Sequence, residues 1–221
     1  MHIIKILMIL MLSLHPFALR KTFSDLLFSE QLLTDVKRHY GARAHDRVKQ
    51  WERLISNNKP LSVEDKLHNV NNFFNRVNFV HDINHWGQRD YWATPIEFLG
   101  TNAGDCEDFT IAKYFTLISS GVPKEKLRLM YVTATRPTRQ AHMVLAYYEQ
   151  ANSIPLVLDN INKRILPASK RTDLIPVYSF NGEGLWLAKS VGQGRKMRGN
   201  NNNKLWEDLN KRMSELGKSS D

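Results

Sequence analysis

The single cysteine of the sequence stands in the segment AGDCEDFTIAKYF, residues 103–115, with an acidic residue on each side of it. Cysteine does its chemistry as the thiolate, and the negative charges of Asp105 and Glu107 disfavour that form. The apolar spacing that follows predicts a helix of about fifteen residues, with Cys106 in its first turn. The positive end of the helix dipole favours the thiolate, so position and flanking charge act in opposite directions.

A lone cysteine has two ordinary uses in a protein. One cysteine cannot form an internal disulfide, so it either packs as a small hydrophobe or is kept for its reactive thiol. Burial in the core is the commoner use. A catalytic interpretation of Cys106 therefore needs partner groups elsewhere in the sequence.

Two further residues supply the groups that a cysteine nucleophile needs. His142 lies in the run AHMVLAYYE, and Asp159 lies at the end of the run IPLVLDN. If these runs and the preceding LRLMYVTATR form neighbouring antiparallel strands, His142 and Asp159 can form a hydrogen bond. The sequence thus predicts Cys106 as nucleophile, His142 as base and Asp159 as the residue that orients the histidine. Taken singly, His142 has a structural explanation within a strand, and Asp159 has one in a turn.

The two flanking acids also have an ordinary structural explanation. Acidic residues are favoured in the first turn of a helix, and Asp105 is suited to be the N-cap of this one. Carboxylates beside an irregular loop are at the same time suitable oxygen ligands for Ca²⁺. From the residues alone, capping is the preferred interpretation of Asp105 and Glu107.

The segment before the cysteine, residues 82–104, is rich in aromatic and turn residues and follows no simple period. We expect a long loop here that forms one wall of a binding cleft. Trp86, Tyr91 and Trp92 are expected to pack as core beneath it. The alternative places Trp92 beside the cleft, where it would line the cleft or donate its indole N–H to an oxyanion. The preferred oxyanion donor is the backbone N–H of Cys106, because it lies at a helix N-terminus.

The remaining elements place these residues in one domain, assigned to residues 23–221. Helical spacing predicts two helices, or one broken near Gly41, between residues 29 and 55, and another from Ser62 to about residue 78. A closing amphipathic helix follows the tract Asn200–Asn203. The 221 residues are enough for one hydrophobic core and too few to favour a second full domain.

The first 22 residues have the layout of an export signal. The basic Lys5 lies within MHIIK, the apolar run IKILMILMLSL overlaps it, and a helix break comes near Pro16. This run is short for a transmembrane span, and residues 17–20 offer no A-x-A cleavage pattern. Export is the preferred interpretation; an uncleaved anchor and a buried first helix are the alternatives.

The charge balance is basic. The net charge of +9 comes from 31 Lys and Arg against 22 Asp and Glu, which could serve a nucleic acid, an anionic membrane or an acidic partner. The basic residues are scattered, and the densest group, residues 193–198, lies in a Gly/Asn-rich stretch typical of a solvated loop. Nucleic-acid binding is therefore not expected.

The motifs GDCEDFTIAKYFTL, AHMVLAYY, LVLDN and YWATPIEFLG together resemble those of the bacterial transglutaminase-like cysteine proteinases, over about residues 80 to 165. The resemblance implies an α+β fold of the papain/transglutaminase type, with N-terminal helices packed against an antiparallel sheet. It also implies the catalytic set Cys106, His142 and Asp159.

The same resemblance changes the interpretation of the flanking acids. In this family they belong to a calcium site that activity requires, and Asp105 and Glu107 match those positions. Asp108, Asp90 and Glu97 are further candidates for the ligand shell. A bound dication would cancel the negative charge that otherwise raises the pKa of the neighbouring thiol.

The function that the resemblance implies is a periplasmic, calcium-dependent cysteine endopeptidase. Its implied substrate is the N-terminal region of a large cell-surface adhesin, cut at a dialanine-containing site, which releases the adhesin and promotes biofilm dispersal. Its implied partner is an inner-membrane receptor that sequesters the protease when the receptor's cytoplasmic side binds cyclic di-GMP. The alternatives are acyl transfer to an amine and a binding module of the same fold that has lost its chemistry. The complete set of Cys106, His142 and Asp159 argues against the silent module.

Overall fold

The structure is a computed structural model that describes residues 28–187, 194–197 and 203–216. The expected signal or anchor, residues 1–22, lies outside the described residues, as do the first residues of the predicted domain and residues 200–202 of the asparagine tract. Within the described ranges, no helix combines the length and apolar character that a membrane crossing needs.

Three helices open the described chain. They are α1 (Glu30–Tyr40), α2 (Ala42–Asn58) and α3 (Val63–Phe74). Gly41 separates the first two with a φ of 85°, a backbone conformation that favours glycine. The prediction of two helices between residues 29 and 55 is confirmed, and α3 ends at Phe74 rather than near residue 78.

The segment predicted as a long loop contains regular structure, so that prediction was wrong. It holds α4 (Asp82–His85) and α5 (Pro95–Thr101), and it is bracketed by β1 (Asn78–Phe79) and β2 (Ala103–Gly104). The two short strands pair in parallel, with Phe79 opposite Gly104. Helices as short as these do not show a full helical period in the sequence, which is why the pattern indicated a loop.

The central elements agree with the prediction. Helix α6 (Cys106–Ser119) begins at the cysteine, and three strands follow it: β3 (Leu127–Ala134), β4 (Gln140–Tyr147) and β5 (Leu156–Leu158). Strands β3 and β4 pair antiparallel, and so do β4 and β5. The expected three-stranded meander is therefore confirmed.

The rest of the sheet was not predicted. It adds β6 (Leu166–Pro167), β7 (Leu174–Asn181), β8 (Gly184–Leu187) and β9 (Arg195–Lys196), and the strand order is β6-β5-β4-β3-β7-β8-β9. Strand β7 pairs with β3, with a register shift between Tyr131 and Val132. A proline within β7 cannot donate to the ladder, and this weakened its strand signal in the sequence. The closing helix α7 (Lys204–Glu215) is confirmed.

Helix α6 lies at the centre of the molecule, between the N-terminal helices and the sheet. It is buried on nearly every side, as expected of a helix that is apolar around most of its circumference. On the helical side, the indole of Trp51 donates to Thr116 Oγ1 at 2.7 Å. The α+β architecture is confirmed, and the N-terminal helices reach the antiparallel sheet mainly through α6.

One charged residue of α6 lies in this core. Lys113 is 1% exposed, and its Nζ donates to Asn75 Oδ1 at 2.8 Å. Burial lowers the pKa of Lys113 to about 7, although the charge of Asp159 acts in the opposite direction. The amine therefore loses its proton in the folded protein at a pH where the unfolded chain keeps it.

Replacing Lys113 by methionine should change how stability depends on pH. Between about pH 7 and 10 the unfolded wild type binds the extra proton, so its free energy of unfolding gains up to about 1.4 kcal/mol per pH unit from this group. In K113M that contribution is absent. Chemical denaturation of both proteins at pH 7, 8 and 9 should show the wild type gaining stability relative to the variant.

The exposed Lys59 offers a matched control, since Lys59→Met removes the same charge from the surface. Its stability difference from the wild type should stay constant with pH. Parallel curves for the wild type and K113M would contradict the low pKa of Lys113.

Candidate active site

A buried histidine and aspartate form the core of the site on the sheet. Strands β4 and β5 pair with Leu145 opposite Leu158, which places Asp159 immediately after β5 and beside β4. Asp159 Oδ1 lies 2.8 Å from His142 Nε2, and the two residues are 2% and 3% exposed. The contact that the strand order predicted is present.

Asp159 remains ionised although it is buried. Burial alone would raise the pKa of Asp159, but the hydrogen bond and charge of His142 lower it. The Ile161 N–H donates to Oδ1 at 2.9 Å and Arg171 Nη2 donates to Oδ2 at 2.7 Å, and both also lower this pKa. Arg171 was not predicted, because nothing in its local sequence indicates that it contacts Asp159.

Cys106 is the first residue of α6, and its helix start lies against strand β4. Thr110 Oγ1 is 2.8 Å from Cys106 O and 3.1 Å from Met143 O, which joins the first turn of the helix to the residue after His142. The Met143 backbone also lies close enough to the Cys106 thiol to lower its pKa. The structure thus places Cys106 beside Met143, the residue that follows His142 in β4.

The thiol of Cys106 donates to Glu107 Oε2 at 2.8 Å. Burial raises the pKa of Cys106 well above its usual value, and the charge and hydrogen bond of Glu107 and the charge of Asp105 raise it further. The Met143 backbone acts in the opposite direction. The expectation that the flanking carboxylates oppose ionisation of this thiol agrees with these directions.

Three carboxylates gather at the same helix start. One oxygen each of Asp82, Asp105 and Asp108 lies within 4.8 Å of the others, and the Cys106 thiol and Glu107 form an overlapping group with Asp105. Asp105 and Glu107 were predicted and Asp108 was a further candidate, whereas Asp82 was missed. The missed residue lies at the start of the short helix α4, inside the segment interpreted as a loop.

The parallel pair β1–β2 explains how Asp82 reaches the cluster. The Val80 N–H donates to Gly104 O at 2.9 Å, so the chain entering α4 runs beside the chain entering α6. Gly104 is packed so closely that a Cβ atom there would collide with Asp108 Oδ2. Both features fix the distance between Asp82 and the first turn of α6.

The carboxylates of this cluster carry strongly altered pKa values. Burial and, after it, the charge of Glu107 raise the pKa of Asp105 to about 8. Burial raises the pKa of Asp82 to about 6 against a hydrogen bond from the Tyr91 backbone, with added repulsion from Asp105 and Asp90. The pKa of Asp108 is raised well above its usual value, first by burial and then by the charge of Asp105.

The donor set of the cluster suits a hard divalent cation. Asp82 Oδ1 and Asp105 Oδ1 are buried and have no hydrogen-bond partner in the described part of the chain. Buried carboxylate oxygens without partners are costly, and oxygen donors at close range are what Ca²⁺ and similar ions bind. The residues present therefore fit such an ion.

Glu97, a further candidate ligand, has a different role. Its carboxylate accepts from Tyr91 Oη at 2.8 Å, from Thr94 N at 2.6 Å and from Arg212 Nη1 at 2.7 Å. It caps α5 and ties this helix to α7. Glu97 is in neither carboxylate group found among the described residues.

The aromatic residues before the cysteine pack mainly as core. Trp92 is 1% exposed and stacks on Phe180 of β7, with ring centroids 5.7 Å apart. Trp86 is half-buried, with its ring 4.8 Å from that of Tyr91. The core interpretation of Trp92 is confirmed.

Comparison with known proteins gives two kinds of match. The family model described as bacterial transglutaminase-like cysteine proteinase BTLCP matches residues 42–186. The solved structure of EGTA-treated LapG from Legionella pneumophila is similar to this chain, with 43% identity and a TM-score of 0.73, over 83% of this chain and 96% of that one. For calcium-bound LapG of the same organism the values are 42% and 0.72, over 84% and 99%. A comparison with curated proteins gives no match. The chain belongs to the bacterial transglutaminase-like cysteine proteinase family, and its fold is that of LapG.

Proposed function

We propose that the protein is a calcium-dependent cysteine endopeptidase with Cys106, His142 and Asp159 as its catalytic residues. The observation that carries the proposal is the buried His142–Asp159 pair. Met143 follows His142 in β4, and its backbone lies next to the Cys106 thiol. Membership of a cysteine proteinase family supports the reaction type. A cysteine at a helix start near this pair supports the choice of the three groups that such a reaction needs.

The proposed reaction begins with the His142–Asp159 hydrogen bond. Because His142 Nε2–H donates to Asp159, its Nδ1 is the nitrogen left to accept the thiol proton. Cys106 Sγ then attacks the carbonyl carbon of the scissile peptide bond. The N–H of Cys106 has no partner four residues earlier in its own helix, so it can donate to the oxyanion that forms.

The second half of the reaction returns the enzyme to its starting state. His142 gives its proton to the leaving amine, the peptide C–N bond breaks, and the acyl group stays on Cys106 as a thioester. A water molecule loses a proton to His142 and attacks the thioester. The carboxylic acid product leaves, and the proton on His142 returns to the thiolate.

Asp82, Asp105, Glu107 and Asp108 are the proposed ligands of the calcium ion. When bound, the ion would supply positive charge that offsets the carboxylates beside the Cys106 thiol. In the structure, Glu107 accepts the hydrogen bond of the Cys106 thiol. If Glu107 bound the ion instead, the thiol would be available to His142. The calcium-bound and EGTA-treated structures of the similar LapG support the choice of ion.

Replacing Asp82 by asparagine tests this ligand set. The amide removes one negative charge and keeps an oxygen for the Tyr91 N–H, which now donates to Asp82 Oδ2 at 2.6 Å. In EGTA the variant should melt at a higher temperature than the wild type, because repulsion in the cluster falls. In saturating Ca²⁺ its gain should be smaller, and each tenfold loss of affinity removes about 1.4 kcal/mol of ligand stabilisation.

The matched control for this measurement is Asp46→Asn, which removes the same charge from an exposed position of α2. Its melting temperature should respond to Ca²⁺ as the wild type does. An equal calcium response in D82N and the wild type would exclude Asp82 from the shell.

The proposed substrate is the N-terminal region of a large cell-surface adhesin, cut at a dialanine-containing site. The proposed place of action is the periplasm, and release of the adhesin would promote biofilm dispersal. The proposed inhibitory partner is an inner-membrane receptor that binds cyclic di-GMP. The motifs around Cys106, His142 and Asp159 support these proposals by resemblance. Recovery of the protein from the periplasmic fraction, and its capture by the receptor's periplasmic domain, would test location and partner.

Removing the thiol should abolish proteolysis and leave the fold intact. We expect the wild type with Ca²⁺ to cleave the N-terminal fragment of the same organism's large adhesin, with one new N-terminus seen by mass spectrometry. Cys106→Ala should give no product while its melting temperature stays close to that of the wild type. Cleavage by C106A at the wild-type rate would rule out the thiol mechanism.

The same assay tests calcium dependence and, separately, whether the acyl group is transferred to water or to an amine. Chelation with EGTA should stop cleavage reversibly, and activity that is indifferent to EGTA would remove the metal from the proposal. A labelled primary amine added to the reaction should not enter the substrate. Incorporation of that amine in place of hydrolysis would indicate acyl transfer.

A further inference from the structure

We propose that Arg171 is a positioning residue for the catalytic pair, a role that rests on the proposed function of His142 and Asp159. Arg171 Nη2 donates to Asp159 Oδ2 at 2.7 Å, on the opposite oxygen from the one that faces His142. The side chains of Arg171 and Asp159 are 2% and 0% exposed. The contact is therefore a charge-assisted hydrogen bond that bulk water does not screen.

Each oxygen of Asp159 has a different partner. Oδ1 accepts from His142 and from the Ile161 N–H, while the main-chain oxygen accepts from Asn75 Nδ2 at 2.9 Å. Among the described residues, Arg171 is the only one that donates a hydrogen bond to Oδ2 of Asp159. Arg171 therefore fixes the rotation of the carboxylate about its own axis, which decides whether Oδ1 faces the imidazole.

Arg171 is itself held rigidly. Its Nε donates to Asp173 Oδ1 at 2.9 Å and its Nη2 to Asp173 Oδ2 at 2.7 Å, a bidentate contact that suits the planar guanidinium. The carbonyl of Asp173 accepts from Thr135 N at 2.8 Å, just beyond the end of β3. Arg171 and Asp173 thus connect Asp159 to the end of β3 in the central sheet, which fixes the orientation of its carboxylate.

The charge of Arg171 also matters for the pair. Asp159 is a buried carboxylate, and a buried anion without compensation tends to take up a proton. Protonated Asp159 could not accept from His142 Nε2–H in the same way, and the imidazole would lose its fixed tautomer. Arg171 therefore acts on the reaction through Asp159 and has no need to touch the substrate.

Arg171→Met is the direct test, measured with the adhesin N-terminal fragment and Ca²⁺. We expect kcat to fall by about tenfold or more with KM near the wild-type value, because the loss concerns orientation of the base and not substrate binding. Arg171→Lys keeps the charge without the fork and should recover part of the loss. Arg212→Met removes another ion-paired arginine, one that is only partly buried, and should leave kcat unchanged.

A double-mutant cycle separates positioning from a merely structural role. In the Asp159→Ala background, Arg171→Met should change kcat by less than about twofold, because the group through which it acts is gone. Equal losses of kcat with and without Asp159 would overturn the proposal. If R171M does not fold, Arg171→Gln carries the same test, since it keeps a donor and loses the charge.

A measurement that needs no substrate tests the positioning role of Arg171 separately from the proposed proteolytic activity. In ¹⁵N-histidine-labelled protein the His142 Nε2–H should give a slowly exchanging proton signal, assigned with His142→Gln. Arg171→Met should speed its exchange with water, while R212M should not. If exchange is faster in R171M but the wild type shows no proteolysis, the proposed function is refuted, and the role of Arg171 in positioning Asp159 and His142 is kept. Unchanged exchange and wild-type kcat in R171M would refute the positioning role alone.

Discussion

The site depends on one constraint: negative charge is concentrated beside a half-buried thiol at the start of a buried helix. The dipole of α6 favours anions at that end, yet burial and mutual repulsion raise the pKa of Asp105 to about 8 and that of Cys106 well above its usual range. Asp82 is brought to the same place by the β1–β2 pair. The folded chain therefore holds together groups that repel one another, and this repulsion is what a cation at the cluster would relieve.

Two aspartates of this site, the buried Asp159 and the half-buried Asp105, show how partners decide the state of a carboxylate. Asp159 accepts from His142, Arg171 and a backbone N–H, so its pKa is lowered in spite of burial. Among the described residues one oxygen of Asp105 has no hydrogen-bond partner, and burial together with the charge of Glu107 raises its pKa. On the sheet side, residues of the described chain thus compensate the charge of Asp159, whereas on the helix side a bound cation would compensate the carboxylates that face one another.

The sequence was informative where a role follows from local position. The helix start at Cys106 and the strands that carry His142 and Asp159 could be predicted, because apolar spacing and strand alternation are local signals. Asp82 and Arg171 could not be predicted, because each joins the site only through pairing or side-chain contacts between distant segments. The short helices α4 and α5 and the proline-containing strand β7 were missed for the related reason that tertiary contacts define them.

Helix capping by the acids around Cys106 does not exclude metal binding by them, because a metal ion would use different oxygen atoms. Asp105 is the N-cap residue of α6, and Asp108 reaches back with Oδ2 to the Asp105 N–H at 3.1 Å and with Oδ1 to the Ala93 N–H at 2.8 Å. These contacts define the start of the helix, and within the described ranges they leave Oδ1 of Asp105 and Oδ1 of Asp82 without hydrogen-bond partners. A capping arrangement that only served the helix would not need Asp82 at all. The unpartnered oxygens, rather than the presence of acids in a first turn, are therefore the feature that distinguishes a cation site from an ordinary helix start.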